Sequence, residues 1–222
     1  YITNFGYDVD TQTDEVKKLW PANLHLIGKD IVRFHTIYWP CFLMSLDLPL
    51  PEKVFGHPFL IMADGKMSKS KGNLVYADDL VNKYGVDAIR YFFLHEIPFA
   101  SDGVFSEDLL VERINGDLAN ILGNLVNRTI SMSHKYFDGV VENTRVTEDV
   151  DATLIEKIEA LPNLFKKKMD ELRIADAIDE VLNCLRATNK YIDSLLNTSP
   201  TPRDCSYYPM PTTASKKKPR RR

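Results

Sequence analysis

The chain has 222 residues, 44% of them apolar, and a formal net charge of −3. That is enough for one or two domains with a substantial core, and no run of about eighteen apolar residues exists to cross a membrane. Residues 194–222 hold seven of the 28 basic side chains and one of the 31 acidic ones, which leaves the body with 21 against 30, a net of −9.

A body this acidic is not a general polyanion binder, so any RNA contact must be local and directed by shape. We expect neither DNA nor a membrane as partner. Tyr1 to Asn4 carry no basic segment followed by a hydrophobic one, and there is no initiator Met, so the chain reads as starting inside a larger protein. Cys41, Cys184 and Cys205 are far apart and form no Cys-x-x-Cys pair. Neither a zinc site nor a disulfide framework can be placed, which fits a reducing, cytoplasmic setting.

In chain order, Leu24 to Gly28 reads as a short buried strand that ends at a glycine. Asp30 then begins a helix whose apolar face carries Phe34, Tyr38 and Phe42, with Pro40 expected to kink it or restrict its first turns. Pro49 and Pro51 mark a loop, and Val54-Phe55 with Phe59 to Met62 suggest another buried strand. Strand, helix and strand imply a right-handed parallel crossover, and ligands of such sheets sit beyond the carboxyl ends of the strands. Gly28 to Asp30 lie at one such end, and His57 faces the same crevice. A glycine there permits close backbone approach, while the Asp30 carboxylate can accept both hydroxyls of a ribose, cap the helix, or do both.

The next segment, Gly65-Lys66-Met67-Ser68-Lys69-Ser70-Lys71-Gly72-Asn73, sets three lysines and two serines between glycines. Ammonium groups, hydroxyls and free backbone N–H groups on a closable loop suit a polyphosphate, although a solvated basic turn has the same composition. From Ser106, a plausible N-cap followed by Glu107 and Asp108, the chain turns helical. Leu110, Ile114, Leu118, Ile121 and Leu125 line one face, and Asp117, Asn120, Asn124 and Arg128 form an opposite polar ridge. After a polar connection at 138–150, Leu154, Ile158, Leu161, Phe165 and Met169 give a second stripe, which Pro162 interrupts or breaks in two. Ile174, Ile178, Val181, Leu185 and Ile192 give a third, so a small bundle is expected. After Asp193 come Pro200, Pro202, Pro209, Pro211 and Pro219, and periodicity stops. The terminal Lys216 to Arg222 cluster has the form of a nuclear-localisation or nucleic-acid patch, a pattern that also arises by chance.

Lys66 to Ser70 spells KMSKS and resembles the signature loop of class I aminoacyl-tRNA synthetases. His25 to His35 (HLIGKDIVRFH), Ile37-Tyr38-Trp39-Pro40, Tyr84 to Phe92 and Ile97 to Gly103 are similar to methionyl-tRNA synthetases in particular, without a gap from Tyr1 to about Asp193. Isoleucyl, valyl, leucyl and cysteinyl enzymes share the lysine loop and are the nearest alternatives. A non-catalytic tRNA-binding module and a basic-tailed nuclear protein are the rivals from other classes.

The resemblance implies an α/β plus all-α fold. Residues 1–103 would be the C-terminal half of a Rossmann-type catalytic domain, 104–193 a helical anticodon-binding domain, and 194–222 an irregular tail. It implies a methionine–tRNA ligase that uses ATP, with Mg²⁺ on the triphosphate, and charges tRNA(Met). Lys66 and Lys69 would be catalytic; Gly28, Asp30, His57, Met67, Ser68 and Ser70 would join them around ATP. Ile31, His35 and Tyr1 would hold methionine, although a lone histidine on an apolar face is ordinarily a core residue. Asn124 and Arg128 would read the anticodon. The family's His-x-Gly-His segment, its connecting insertion and the Pro-Trp pair of its last helix are absent from this sequence, so the chain alone is expected to be inactive.

Overall fold

The computed structural model describes residues 1–8, 14–62, 75–98, 101–142 and 147–198. A short 3₁₀ turn, Ile2–Phe5, and helix α1 (Asp14–Leu19) precede strand β1 (His25–Gly28). β1 pairs in parallel with β2 (Val54–His57), in a register that sets His25 beside Val54 and Gly28 beside His57. The connection between them is helical throughout much of its length: a 3₁₀ turn Lys29–Ile31, a π-helical stretch Phe34–Tyr38, and α2 (Trp39–Ser45). The parallel crossover expected from strand, helix and strand is therefore present. Gly56 lets it close, because a Cβ there would lie 2.4 Å from Val32 Cγ2.

Two expectations for this region need correction. The stretch 54–62 is not one strand. Pro58, which has no N–H to give a ladder, separates β2 from β3 (Leu60–Met62), and β3 pairs in parallel with a different partner, β4 (Gly103–Phe105). Nor do Phe34, Tyr38 and Phe42 form the inward face of the crossover helix. All three are exposed, Phe42 at 62%, whereas His35 and Leu43 are buried, Leu43 completely. His35, Trp39 and Leu43 have the same four-residue spacing one position on, and hydrogen bonds from His35 and Trp39 hold that side inward. Pro40 sits in the first turn of α2, where its missing N–H is tolerated. The preceding π turn joins the two halves: Trp39 N–H donates to the Phe34 carbonyl five residues back.

Beyond these strands the chain is helical: α3 (Ala77–Tyr84), α4 (Val86–Glu96), α5 (Glu107–Arg113), a ten-residue π stretch Ile114–Gly123, α6 (Asn124–Phe137), α7 (Asp149–Asp170) and α8 (Ile174–Thr198). Ser106 caps α5 as the sequence suggests, its Oγ accepting from Leu109 N–H at 3.1 Å. Pro162 neither stops nor splits α7; it lies on the exposed side, where water can serve the Ile158 carbonyl. α8 runs on to Thr198, past the Asp193 boundary read from the sequence.

Burial concentrates in two clusters. One joins Leu80, Ile89, Phe92, Phe105 and Leu110, with Leu60, Met62 and Val75 packed on it. The smaller joins Ile2, Trp20 and Leu43, with Trp39 against it. Among the described residues, no helix is long and apolar enough to cross a membrane.

Candidate functional site

The carboxyl ends of β1 and β2 present Gly28 and His57 side by side. The chain turns into the 3₁₀ segment directly after Gly28, and a Cβ on that glycine would sit 2.5 Å from an Asp30 carboxylate oxygen. The bare glycine leaves Asp30 room to fold its carboxylate over the turn. Asp30 is exposed and lies inside the turn, whose N-cap position is taken by Gly28, so Asp30 is not the residue that caps it. His57 is exposed as well, and its Nδ1 donates to the Pro58 carbonyl at 2.8 Å. Lys29 leans away from this edge. Its ammonium donates to both Asp102 oxygens at 2.6 and 2.7 Å and lies over the Phe59 ring, while Phe59 N–H donates to the same carboxylate. The Lys29 bond, and then the Phe59 amide, hold the Asp102 carboxyl below its ordinary range. This clamp, absent from the sequence reading, ties the end of β1 to the start of β4.

Around His25, at the first residue of β1, Tyr1, Trp20, His35 and Trp39 form a cage of rings. Tyr1 is central, with ring centroids 4.9 Å from His25, 5.7 Å from His35 and 5.6 Å from Trp39. His35 Nδ1 lies 3.0 Å from the Ile31 carbonyl, which can only accept, so that nitrogen carries the hydrogen. Nε2 of the neutral ring then accepts the Tyr1 hydroxyl at 2.7 Å. An indole N–H can only donate, so Trp39 Nε1–H gives its hydrogen to a bare His25 Nε2 at 3.2 Å. Burial first, and then the nearby His35, push His25 below the ordinary imidazole value, which favours the neutral ring this bond requires.

Tyr1 and His35, singled out from sequence, are thus in contact. Ile31 contributes its carbonyl to His35 and is itself exposed. His25, Trp39 and Trp20 were missed as site residues. The alternation of His25 and Ile27 along β1 and the four-residue step from His35 to Trp39 are the signals that carry them inward.

The lysine loop, including Lys66, Met67, Ser68, Lys69 and Ser70, lies outside the described residues. Its neighbours on either side, Met62 and Val75, both pack on the larger core, next to β4.

At the helical end, Asn124 opens α6 and is exposed. Arg128, one turn on, is held by Asp193 of α8 at 2.5 Å. Asp117 does not belong to this exposed ridge. It is 5% exposed and accepts from the Tyr91 hydroxyl at 2.7 Å, with Arg186 at 3.6 Å and Arg113 at 4.0 Å. The π stretch Ile114–Gly123 explains the difference, because its wider i→i+5 repeat turns a ridge drawn at three- and four-residue steps inward. Asn189 Nδ2 of α8 donates to the Ile121 carbonyl within the same stretch. Among the described residues, no group of three or more His, Cys, Asp or Glu side chains could hold a metal ion.

The family model described as tRNA synthetases class I (M) matches residues 1–130. A methionine–tRNA ligase of Caldanaerobacter subterraneus is 54% identical over 197 residues, 88% of this chain and 31% of the relative. The Bacillus subtilis methionine–tRNA ligase is 53% identical over 196 residues, 87% of this chain and 29% of the relative. Among solved structures, Mycobacterium tuberculosis methionyl-tRNA synthetase in complex with methionyl-adenylate superposes with a TM-score of 0.82 at 42% identity, covering 92% of this chain and 41% of that one. The chain therefore spans about a third of the length of these curated relatives.

Proposed function

The chain belongs to the methionyl-tRNA synthetases of class I, and from that premise we propose that it supplies the carboxyl-side wall of the catalytic site and the tRNA-reading helices of a methionine–tRNA ligase. The ligase activates methionine with ATP and transfers it to tRNA(Met), in the cytoplasm. The observation that carries this reading is the Tyr1–His35 bond inside a cage of rings built on β1, the strand whose carboxyl end sets Gly28 beside His57 and leads into the turn bearing Asp30. A thioether suits an aromatic and apolar wall, and a ribose suits a carboxylate beside a bare glycine.

In the first step a methionine carboxylate oxygen attacks the α-phosphorus of ATP. A bond to that phosphorus forms, the bond to the β-phosphate bridge breaks, and pyrophosphate departs with the electron pair. Charge grows on the leaving group, so Lys66 and Lys69 stabilise the transition state more than the ground state, with Ser68 and Ser70 organising the loop and Met67 joining them around ATP. Mg²⁺ enters as part of the nucleotide substrate. Asp30 and Gly28 bind the adenosine ribose, with His57 beside them. Tyr1, His35 and Ile31 bind methionine, and methionyl-adenylate, named for the mycobacterial neighbour, is the intermediate proposed here. In the second step a terminal ribose hydroxyl of tRNA attacks the methionyl carbonyl, and AMP leaves. Asn124 and Arg128 contact the anticodon on the exposed face of α6.

Methionine-dependent pyrophosphate exchange tests the proposal in a ligase of the relatives' full length that carries this sequence. Lys69→Ala is expected to lower the exchange rate by about 10²–10³-fold, the cost of one preorganised group at a developing anion, with methionine affinity changed far less. Loss of affinity at an unchanged rate would make Lys69 a ground-state binder. Residues 1–222 alone are expected to give no exchange.

A further inference from the structure

We infer that His25 is a specificity-determining positioning residue: by taking the Trp39 indole hydrogen it leaves that indole no free donor toward the cage, an assignment that rests on the cage being the methionine site. The two side chains come from elements fixed independently of each other. His25 lies on β1, its N–H donating to the Lys53 carbonyl at 2.9 Å and its Cα in register with Val54. Trp39 stands where the π turn passes into α2, just ahead of Pro40, and packs on the small core of Ile2, Trp20 and Leu43. The bond from Trp39 Nε1–H to His25 Nε2 therefore joins strand to helix across the cage. His25 is only 7% exposed, so water does not readily replace it as acceptor. The Trp20 ring packs beside the pair, 6.0 Å from His25 and 5.8 Å from Trp39, and the half-exposed Tyr1 ring lies 4.9 Å from His25.

The consequence is chemical. A thioether sulfur is a weak acceptor and contributes little to an indole N–H, whereas a sulfoxide or carboxamide oxygen of similar reach is a strong one. An unpaired indole donor in this wall would hold the indole loosely for methionine and offer a polar isostere a hydrogen bond. With the hydrogen already given to His25, a polar side chain entering the cage loses its water and gains no donor from Trp39, which is how a buried site rejects it. His25 touches neither substrate nor reacting atoms in this scheme; it acts through Trp39.

The test uses the full-length ligase carrying this sequence, with methionine and methionine sulfoxide as the two amino acids in pyrophosphate exchange. His25→Leu is expected to raise KM for methionine more than it lowers kcat, and to reduce the preference for methionine over the sulfoxide by about 10-fold or more, within the range set by one polar contact. His25→Gln, whose Oε1 can take the place of Nε2, is expected to restore most of that preference. A structural role alone would lower both substrates' kcat/KM equally. Unchanged preference in His25→Leu, or no recovery in His25→Gln, overturns the inference while leaving methionine activation in place. A wild-type ligase that does not activate methionine overturns the site reading, and the inference with it. Should His25→Leu not fold, the indole N–H resonance of Trp39 in His25→Gln decides the bond: a hydrogen-bonded shift supports it, and a free one sinks it.

Discussion

The two ends of the molecule bury polar groups in opposite ways. In the cage, rings are joined by single hydrogen bonds, Tyr1 to His35, His35 to the Ile31 carbonyl and Trp39 to His25, with no carboxylate among them. In the helical region, Asp117 is a buried carboxylate answered by a hydroxyl and two guanidinium groups. Burial and then the Asp117 contact push the Tyr91 hydroxyl well above its usual range, while the Glu96 carboxylate, which accepts from Arg113 Nε at 2.7 Å, raises Arg113 further. Rings without a carboxylate suit the apolar side chain proposed for the cage. A charge hub suits a joint, since Tyr91 and Glu96 sit on α4, Asp117 on the π stretch and Arg186 on α8.

The chain itself offers two probes for this contrast. Its two tryptophans, Trp20 and Trp39, both line the cage, so indole emission follows that end, while helical circular dichroism follows the bundle. The largest expected effect is at the joint. Asp117→Ala strands the Tyr91 hydroxyl and takes one partner from Arg113 and Arg186, which keep Glu96 and Asn183 and are both partly exposed, and is expected to cost about 1–3 kcal/mol. Denaturant unfolding should move the dichroism transition and leave the emission transition nearly in place. Coincident shifts in both would mean that the two ends unfold as one unit and that the contrast has no energetic meaning.

Next in size is Arg128. Its pair with Asp193 is partly exposed, so it stabilises the fold little, and Arg128→Ala should shift the dichroism midpoint by less than about 1 kcal/mol. If Arg128 reads a base, charging of tRNA(Met) by the full-length ligase should weaken by about 1–3 kcal/mol, with adenylate formation intact. An equal loss on an anticodon-altered tRNA would make Arg128 a backbone or packing contact instead. A smaller change is expected from Tyr1→Phe. Removing the hydroxyl leaves His35 Nε2 without its donor, a loss of about 1 kcal/mol read in emission and not in dichroism.

What was legible in the sequence follows the same division. The parallel crossover and the Ser106 cap depend on local spacing and strand order, which a sequence carries directly, whereas Tyr1 and His35 were singled out only through the resemblance to a family. The inward face of the crossover helix was not legible, because Phe34-Tyr38-Phe42 and His35-Trp39-Leu43 satisfy the same period. Greasiness favoured the first, and hydrogen bonds decided for the second. Asp117 was misread for a related reason: polar periodicity cannot reveal a π stretch, and that stretch turns the carboxylate inward. Pro58 did carry a signal, since a proline between two apolar runs marks a break, yet which partner each strand would take depended on β4, forty residues away.

The smallest effect distinguishes neutral from charged burial most directly. His25 is held below the ordinary imidazole value of about 6.5, first by burial and then by His35. The sign follows from proton binding. Above about pH 6.5 neither folded nor unfolded chain protonates this ring, and the cage has its full stability. Below it the unfolded chain takes up a proton that the folded chain resists, so stability falls with pH until the lowered folded value is reached. The groups facing His25 are the Tyr1 ring and its α-amino group, His35, and the Trp20 and Trp39 rings, and none of them is a carboxylate that could take up the new charge. Between about pH 7.5 and 6 the emission midpoint should therefore drop by under about 1 kcal/mol, while the dichroism midpoint holds. His25→Gln should flatten the emission trend. A trend that survives the substitution would assign the acid sensitivity to another group, and the cage would no longer owe its acid response to a neutral His25.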